Sequence, residues 1–283
     1  MSRRASKVLV NAAGVLVALL FAFPVYWMVN TAFKTQDQFQ TYVPVFIPAF
    51  TLDNFTRALG QPEFPTLLRN SVFVTGCTVL LALVVGFLAA VTLARVRFRG
   101  RRSFFVLVAV AQMAPFEALL IPIYLAAVRN GLPGPLGVLP IGYDQLPTLI
   151  LIYFVFTLPF TIWALRGFVA GIPIDLEEAA MVDGASRFQA FYKITLPLLA
   201  PGLVATSIFC FITAWNEYLY CYAFMTPHNY TLPVWLVSFQ TAFGTDWGAT
   251  MAASTLFTLP VLVFFLVVQR RMVGGLTTGA VRG

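Results

Sequence analysis

The sequence predicts an all-α integral membrane protein with six transmembrane helices and both termini in the cytoplasm. Three observations carry that prediction: composition, six long apolar runs, and the uneven placing of basic residues between them. Of 283 residues, 59% are hydrophobic and 10% charged, and mean hydropathy is +0.84. Soluble domains carry about 25% charged residues, and a 31.2 kDa chain with so few could not cover its surface in water.

A spanning helix needs about 20 apolar residues. Six runs qualify: 8–30, 70–94, 103–128, 146–165, 198–224 and 250–268. Pro115 and Pro122 interrupt the third, Pro159 the fourth and Pro260 the sixth. Proline is tolerated in a membrane helix where neighbours satisfy the freed backbone groups, so these helices are expected to pack against protein on at least one face.

Basic residues fix the orientation. Arg3, Arg4 and Lys7 precede the first span, and Arg95, Arg97, Arg99, Arg101 and Arg102 follow the second. Arg166, Arg187 and Lys193 lie after the fourth, and Arg270, Arg271 and Arg282 in the tail. The opposite side holds Lys34, Arg57, Arg69 and Arg129, which leaves no Lys or Arg mid-membrane. The positive-inside rule places the richer side in the cytoplasm, and an even number of spans agrees. The net charge of +7 is thus topology, and no nucleic-acid partner is expected. Ser2-Arg3-Arg4 before an apolar run has the outline of a signal, but a signal core is about 7–15 residues. This run is longer and lacks a small-x-small cleavage site, so a retained helix is expected. Cys77, Cys210 and Cys221 fall within apolar runs and read as small buried hydrophobes.

The chain therefore reads as one transmembrane domain over 1–283, with external loops at 31–69 and 225–248 and a cytoplasmic loop at 166–197. The catalytic inventory is thin. No G-x-x-x-x-G-K-[ST] run occurs, since Lys7, Lys34 and Lys193 follow no glycine. His228 is the sole histidine, and no G-x-S-x-G occurs. A path or scaffold is expected, with energy supplied by another chain and no cofactor of its own.

The loop at 166–197 breaks the pattern. Four of the eleven acids sit there: Asp175, Glu177, Glu178 and Asp183. Asp175-x-x-Glu178 and Ser186-x-x-Gln189 both have capping-box spacing, and Gly184 stands where a left-handed helix end would sit. Phe188, Phe191 and Tyr192 share a helical face, and Pro197 is expected to end the segment before the fifth span. The loop thus reads as two short helices meeting at a glycine. Its aromatics dock either into a cytoplasmic partner or onto the chain's own bundle.

Glu178-Ala179-Ala180, Gly184, Ile194 and Leu196-Pro197, at their spacings, match the EAA loop of bacterial ABC-importer permeases. Trp215-Asn216-Glu217, Asn229-Tyr230-Thr231-Leu232-Pro233 and the terminal Gly275-Leu276-Thr277-Thr278-Gly279-Ala280-Val281 resemble the carbohydrate-uptake branch, similar to the smaller maltose-type permease. The resemblance implies a type I importer fold in a bacterial cell membrane. It also implies a second permease subunit, two ATPase subunits carrying ATP and Mg, and an external solute-binding protein. Glu178, Ala179, Ala180, Asp183, Gly184, Phe188, Ile194, Leu196 and Pro197 would then couple to the ATPase. Gly184 would be needed for the turn or for close approach of the partner.

Intramembrane acids are costly and face a cavity or a partner. Glu117, two residues past Pro115, and Glu217, within Trp215-Asn216-Glu217-Tyr218, are candidates for the solute path. Each also fits a lock on the bundle through a serine, a threonine or a backbone amide. Asn229, Tyr230 and Trp235 lie in an external aromatic segment that suits binding-protein contact or an interfacial belt on lipid. The expected function is import of a sugar or oligosaccharide by alternating access. Glycerol-phosphate compounds are the alternative solute, though the absence of Lys and Arg within the spans favours a neutral one. A stand-alone secondary transporter would need an internal repeat and coupling charges that the sequence does not offer.

Overall fold

A computed structural model describes residues 3–41, 43–130, 132–133, 140–241 and 244–276. Along the chain run α1 (Arg3–Ala32), α2 (Gln36–Phe39), α3 (Asp53–Leu59), α4 (Phe64–Arg95), α5 (Arg101–Gln112), α6 (Leu120–Asn130) and α7 (Leu146–Gly171). They are followed by α8 (Asp175–Val182), α9 (Arg187–Ala190), α10 (Leu196–Trp215), α11 (Leu219–Phe224), α12 (Leu232–Val237) and α13 (Trp247–Leu276). Two hairpins of two-residue strands, Leu132–Pro133 with Pro140–Ile141 and Gln240–Thr241 with Gly244–Thr245, are the β-structure among the described residues. The end of the terminal motif, 277–281, lies outside the described residues.

Among the described residues, five helices are long and apolar enough to cross a bilayer. The third run is broken: Arg101–Gln112 and Glu117–Ala127 meet at 85°, with Pro115 inside the break. This is the interruption expected at Pro115 within the run 103–128, because proline removes an amide donor and its ring clashes with the preceding turn. The fifth span differs from expectation, since α10 stops at Trp215 and a separate α11 follows. The chain is a multi-pass membrane protein.

The contacts divide the chain into two units. The first comprises Met1–Phe64 and Trp235–Pro260. Here the segment that follows α1 folds back onto the end of that helix. Asn54, buried, donates to the carbonyls of Ala32 and Lys34 at 2.9 and 2.8 Å and accepts from Arg57 at 2.7 Å. Phe33 stacks on Phe50 at 4.6 Å. Asp246 caps α13 by accepting from the Ala249 amide at 3.0 Å and pairs with Arg57 at 3.1 Å.

The second unit comprises Pro65–Val234 and Val261–Gly283. Small residues set its helix spacing, as is usual where backbones approach closely in a membrane. A Cβ on Gly86 would lie 2.4 Å from Thr161, and one on Gly202 2.5 Å from the Phe168 ring. Thr157 and Thr161, fully buried, return their hydroxyls to carbonyls one turn back at 2.8 Å. Cys210 and Cys221 are buried as expected, and each has a hydrogen-bond partner, Thr161 Oγ1 and the Thr231 amide, both at 3.2 Å.

Candidate functional site

Pro173 determines where the fourth span ends. The residue before a proline is driven to extended backbone, and Ile172 adopts φ −87°, ψ 120° and terminates α7. Then α8 starts at Asp175, with Ile174 as N-cap and no side-chain cap bond. The capping box expected at Asp175 and Glu178 is therefore absent: Asp175 lies already inside the helix. Asp175, Glu177 and Glu178 in the first turn face the helix's positive pole.

The other end of α8 follows expectation. Gly184 has φ +90°, the Ala185 amide reaches the Ala180 carbonyl at 2.9 Å, and the Gly184 amide reaches Met181 at 3.1 Å. That pair of bonds is a Schellman ending. An added Cβ on Gly184 meets nothing within 4 Å, so within this chain backbone conformation, not crowding, demands glycine. Ser186 then caps α9 reciprocally: its hydroxyl accepts from the Gln189 amide at 3.2 Å, and Gln189 accepts from the Ser186 amide at 2.9 Å. Pro197 does not end this segment. Helix runs continuously over Arg187–Trp215, because a π-turn over Phe191–Thr195 opens the ladder just where proline has no N–H to give.

The aromatic face divides. Phe191 packs on Phe87 at 5.7 Å, while Phe188 and Tyr192, 75% and 59% exposed, stack on each other with rings 10° apart. Glu178, Ala179, Asp183, Gly184 and Pro197 are exposed, and Ala180, Ile194 and Leu196 are half-buried. The loop is clamped to the bundle from below. Glu177 pairs with Arg95 at 3.0 Å and accepts the hydroxyl of fully buried Thr195 at 2.8 Å. Arg95 also donates to the Ile172 carbonyl at 2.9 Å. One cluster thus ties the end of α4, the end of α7, α8 and the π-turn together. The result is a rigid knob with a free outer face.

Near the break of the third span, Glu217 accepts from the Tyr153 hydroxyl at 2.5 Å, the Tyr220 amide at 2.8 Å and the Cys221 amide at 3.3 Å. It therefore starts α11. It also lines a cavity of about 470 Å³ with Gln112, Phe116, Tyr153, Phe156 and Thr213. Glu117 is exposed. Trp215 is buried and stacks on Phe211 at 5.4 Å. Asn216 is exposed and donates to the Ile212 carbonyl, and Tyr218 stacks on Tyr222 at 5.5 Å. These side chains do not form one surface.

Beyond α11, Asn229 and Tyr230 are half-buried. Asp144 accepts from the Thr226 amide and hydroxyl at 2.7 and 2.8 Å and from Asn229 at 3.1 Å. Burial pushes the Asp144 carboxyl up, but those donors outweigh it and hold it below the usual carboxylate range. Asn70 donates to the His228 and Tyr230 carbonyls at 3.2 Å, and Ser71 accepts from the Leu232 amide at 2.7 Å. In the other unit, Trp235 is 2% exposed and packs on Phe64 at 4.8 Å, while Trp247 is exposed. Phe243 lies outside the described residues.

Residues 82–277 match the family model described as "Binding-protein-dependent transport system inner membrane component". The chain belongs to this family. Over 275 residues it is 47% identical to the diacetylchitobiose uptake system permease protein DasC of Streptomyces coelicolor, covering 96% of each chain. It is 33% identical over 281 residues to the trehalose/maltose transport system permease protein MalG of Thermococcus litoralis, covering 98% of this chain and 97% of that one. The fold matches a chain in the crystal structure of a bacterial ABC transporter involved in the import of the acidic polysaccharide alginate. The TM-score is 0.72 at 21% identity, over 95% of this chain and 98% of that chain.

Within this permease, sequence reasoning missed the residues that hold the surfaces in place. Arg95 counted as a topology signal and as part of a family-like run, not as an anchor, and Glu177 only as one acid of four. The signals for Asp144, Asn70 and Ser71 were weak: a Gly-Tyr-Asp-Gln loop, and polar residues opening an apolar run.

Proposed function

We propose that this permease subunit imports a neutral sugar or oligosaccharide, with α8 and α9 as its coupling helices. It pairs with a second, non-identical permease, two ATPase subunits that bind ATP and Mg, and an external solute-binding protein, in a bacterial cell membrane with both termini in the cytoplasm. Closure of the ATPase dimer pushes on the knob and swings the bundle between inward-open and outward-open states.

The observation that carries the coupling role is the exposed Phe188–Tyr192 stack on a helix pair locked to the bundle. Glu178, Ala179, Ala180, Asp183 and Gly184 form the shoulder of the knob, and Ile194, Leu196 and Pro197 transmit its motion into α10. A continuous helix from Arg187 to Trp215 transmits displacement better than a hinged one. Glu117, Asn216, Glu217 and Tyr218 contribute to the solute path, with Trp215 as support behind them. Asn229 and Tyr230 meet the binding protein on a segment fixed by Asp144 and Asn70, and Trp235 supports its own unit from within.

The sugar assignment draws on relatives named for diacetylchitobiose and for trehalose and maltose. The test is uptake by the reconstituted importer, preceded by a ligand screen on its solute-binding protein. Saturable, ATP-dependent uptake of a neutral saccharide is expected, and uptake only of glycerol-phosphate compounds would overturn the choice.

A further inference from the structure

A helix normally begins with acidic or neutral capping residues, because its free amides carry partial positive charge. The start of α5 does the opposite. Gly100, at φ +88°, is its N-cap without a side-chain cap bond, and the first turn holds Arg101 and Arg102 and no acid. These two arginines line a cavity of about 530 Å³ together with Ser103, Phe105 and Arg166 of α7. The Arg166 guanidinium lies 4.4 Å above the Phe105 ring. That contact orients the guanidinium plane on the ring and leaves its edge available to an anion. The ion pairs found among the described residues are Arg57–Asp246 and Arg95–Glu177, so neither Arg101, Arg102 nor Arg166 meets a carboxylate. Three cations and a helix pole gather here, and among the described residues none of the three is ion-paired.

The cavity has a continuation. Arg102 and Ser103 also begin a second, shallow and open groove along one face of α5, continued by Val106, Leu107 and Val110. All three are more than half exposed. A basic pocket opening into an apolar groove on a spanning helix is amphipathic in the same order as a phospholipid. We propose that the basic end of α5 binds an anionic phospholipid of the inner leaflet, with its phosphate among Arg101, Arg102 and Arg166 and an acyl chain along Val106, Leu107 and Val110. Charge complementarity selects the headgroup, and the groove distinguishes a lipid from a free anion. Basic pockets between helices on the cytoplasmic side suit such headgroups, and each arginine near the surface strengthens anionic-lipid binding about fivefold. The inference goes beyond the transport function and shares with it only the orientation of the chain.

The test is a titration of the purified full chain, alone and in its assembled transporter, with fluorescent phosphatidylglycerol. Phosphatidylcholine of the same chains and inorganic phosphate serve as competitors. Phosphatidylglycerol should bind at least tenfold tighter than phosphatidylcholine, and millimolar phosphate should not displace it. Arg102→Gln with Arg166→Gln should weaken it at least tenfold. Arg97→Gln with Arg99→Gln, equally basic but outside the cavity, should change it less than twofold. Leu107→Trp fills the groove without touching charge and should weaken binding severalfold. Should the arginine pair prevent folding, Leu107→Trp decides alone, and unchanged binding refutes the site. Equal losses in both arginine pairs, equal affinity for the two lipids, or displacement by phosphate would each overturn it. So would loss of the ATPase subunit with lipid binding intact, since the cluster would then be a protein contact. Failure to assemble with any ATPase undoes the transport reading and leaves the titration on the chain alone intact.

Discussion

Replacing Glu177 by glutamine tests the clamp beneath the knob. The substitution keeps the side chain's shape and an oxygen for the Thr195 hydroxyl, and removes the charge facing Arg95. At 3.0 Å the attraction is about 5 kcal/mol at an effective dielectric of ~20 and about 1.4 kcal/mol in water. Desolvation offsets much of this, because the two side chains are only 17% and 18% exposed. A hydrogen bond to a charged group then leaves a net contribution of roughly 2 kcal/mol. That shifts the equilibrium between seated and unseated α8 about thirtyfold. The assay is a double-mutant cycle on the assembled transporter, Glu177→Gln, Arg95→Gln and both, read by thermal unfolding and by uptake per ATP hydrolysed. A coupling energy of about 1–2 kcal/mol is expected, with ATP hydrolysis persisting while uptake per ATP falls. Additive effects within about 0.3 kcal/mol, or unchanged stoichiometry, would refute the clamp.

Gly184→Ala should cost about 1–2 kcal/mol, the penalty of a left-handed non-glycine residue, and Gly184→Asp should leave the chain in the membrane while uncoupling hydrolysis from uptake; normal uptake by a purified, assembled Gly184→Asp transporter contradicts the role. Asp144→Asn keeps a residue that tolerates the φ of 59° at this position and should lower thermal stability by roughly 1–2 kcal/mol through weakened bonds to Thr226 and Asn229. Because the folded Asp144 carboxyl titrates below its unfolded value, its stabilisation is complete above about pH 4 and fades as pH falls through the folded value. Melting curves from pH 7 to pH 3 should therefore converge for wild type and Asp144→Asn only at the acid end. Glu217→Ala removes the acceptor for three donors and should destabilise by about 2 kcal/mol, whereas Asn216→Ala should leave stability within 0.5 kcal/mol and alter uptake; unchanged apparent affinity and rate for Asn216→Ala would take it off the solute path.

The membrane fold was legible because it rests on a coarse quantity, the length of apolar runs set by bilayer thickness. The loop at 166–197 was legible where local chemistry decides: Gly184 in a left-handed turn, and Ser186 with Gln189 in a reciprocal cap. It was illegible where a neighbour decides. Asp175 had the spacing of a cap, but Pro173 moved the start of α8 one residue upstream. Pro197 had the look of a helix end, but a π-turn absorbed it. Glu177 and Glu178 are adjacent identical residues, and only the packing of α4 beneath them separates an anchored carboxylate from an exposed one. In the same way Glu217 read as path or lock, and the structure gives it three donors and a place on a cavity wall at once.

The most direct measurement is site-specific cross-linking from the knob in the assembled transporter. Cysteines at Val182, 87% exposed, and at Phe188 should cross-link to the ATPase subunit, with yields that change on adding ATP, and should react with impermeant maleimide only in broken or inverted membranes. Labelling of either position from outside intact cells, or cross-links to every subunit except the ATPase, would contradict the account.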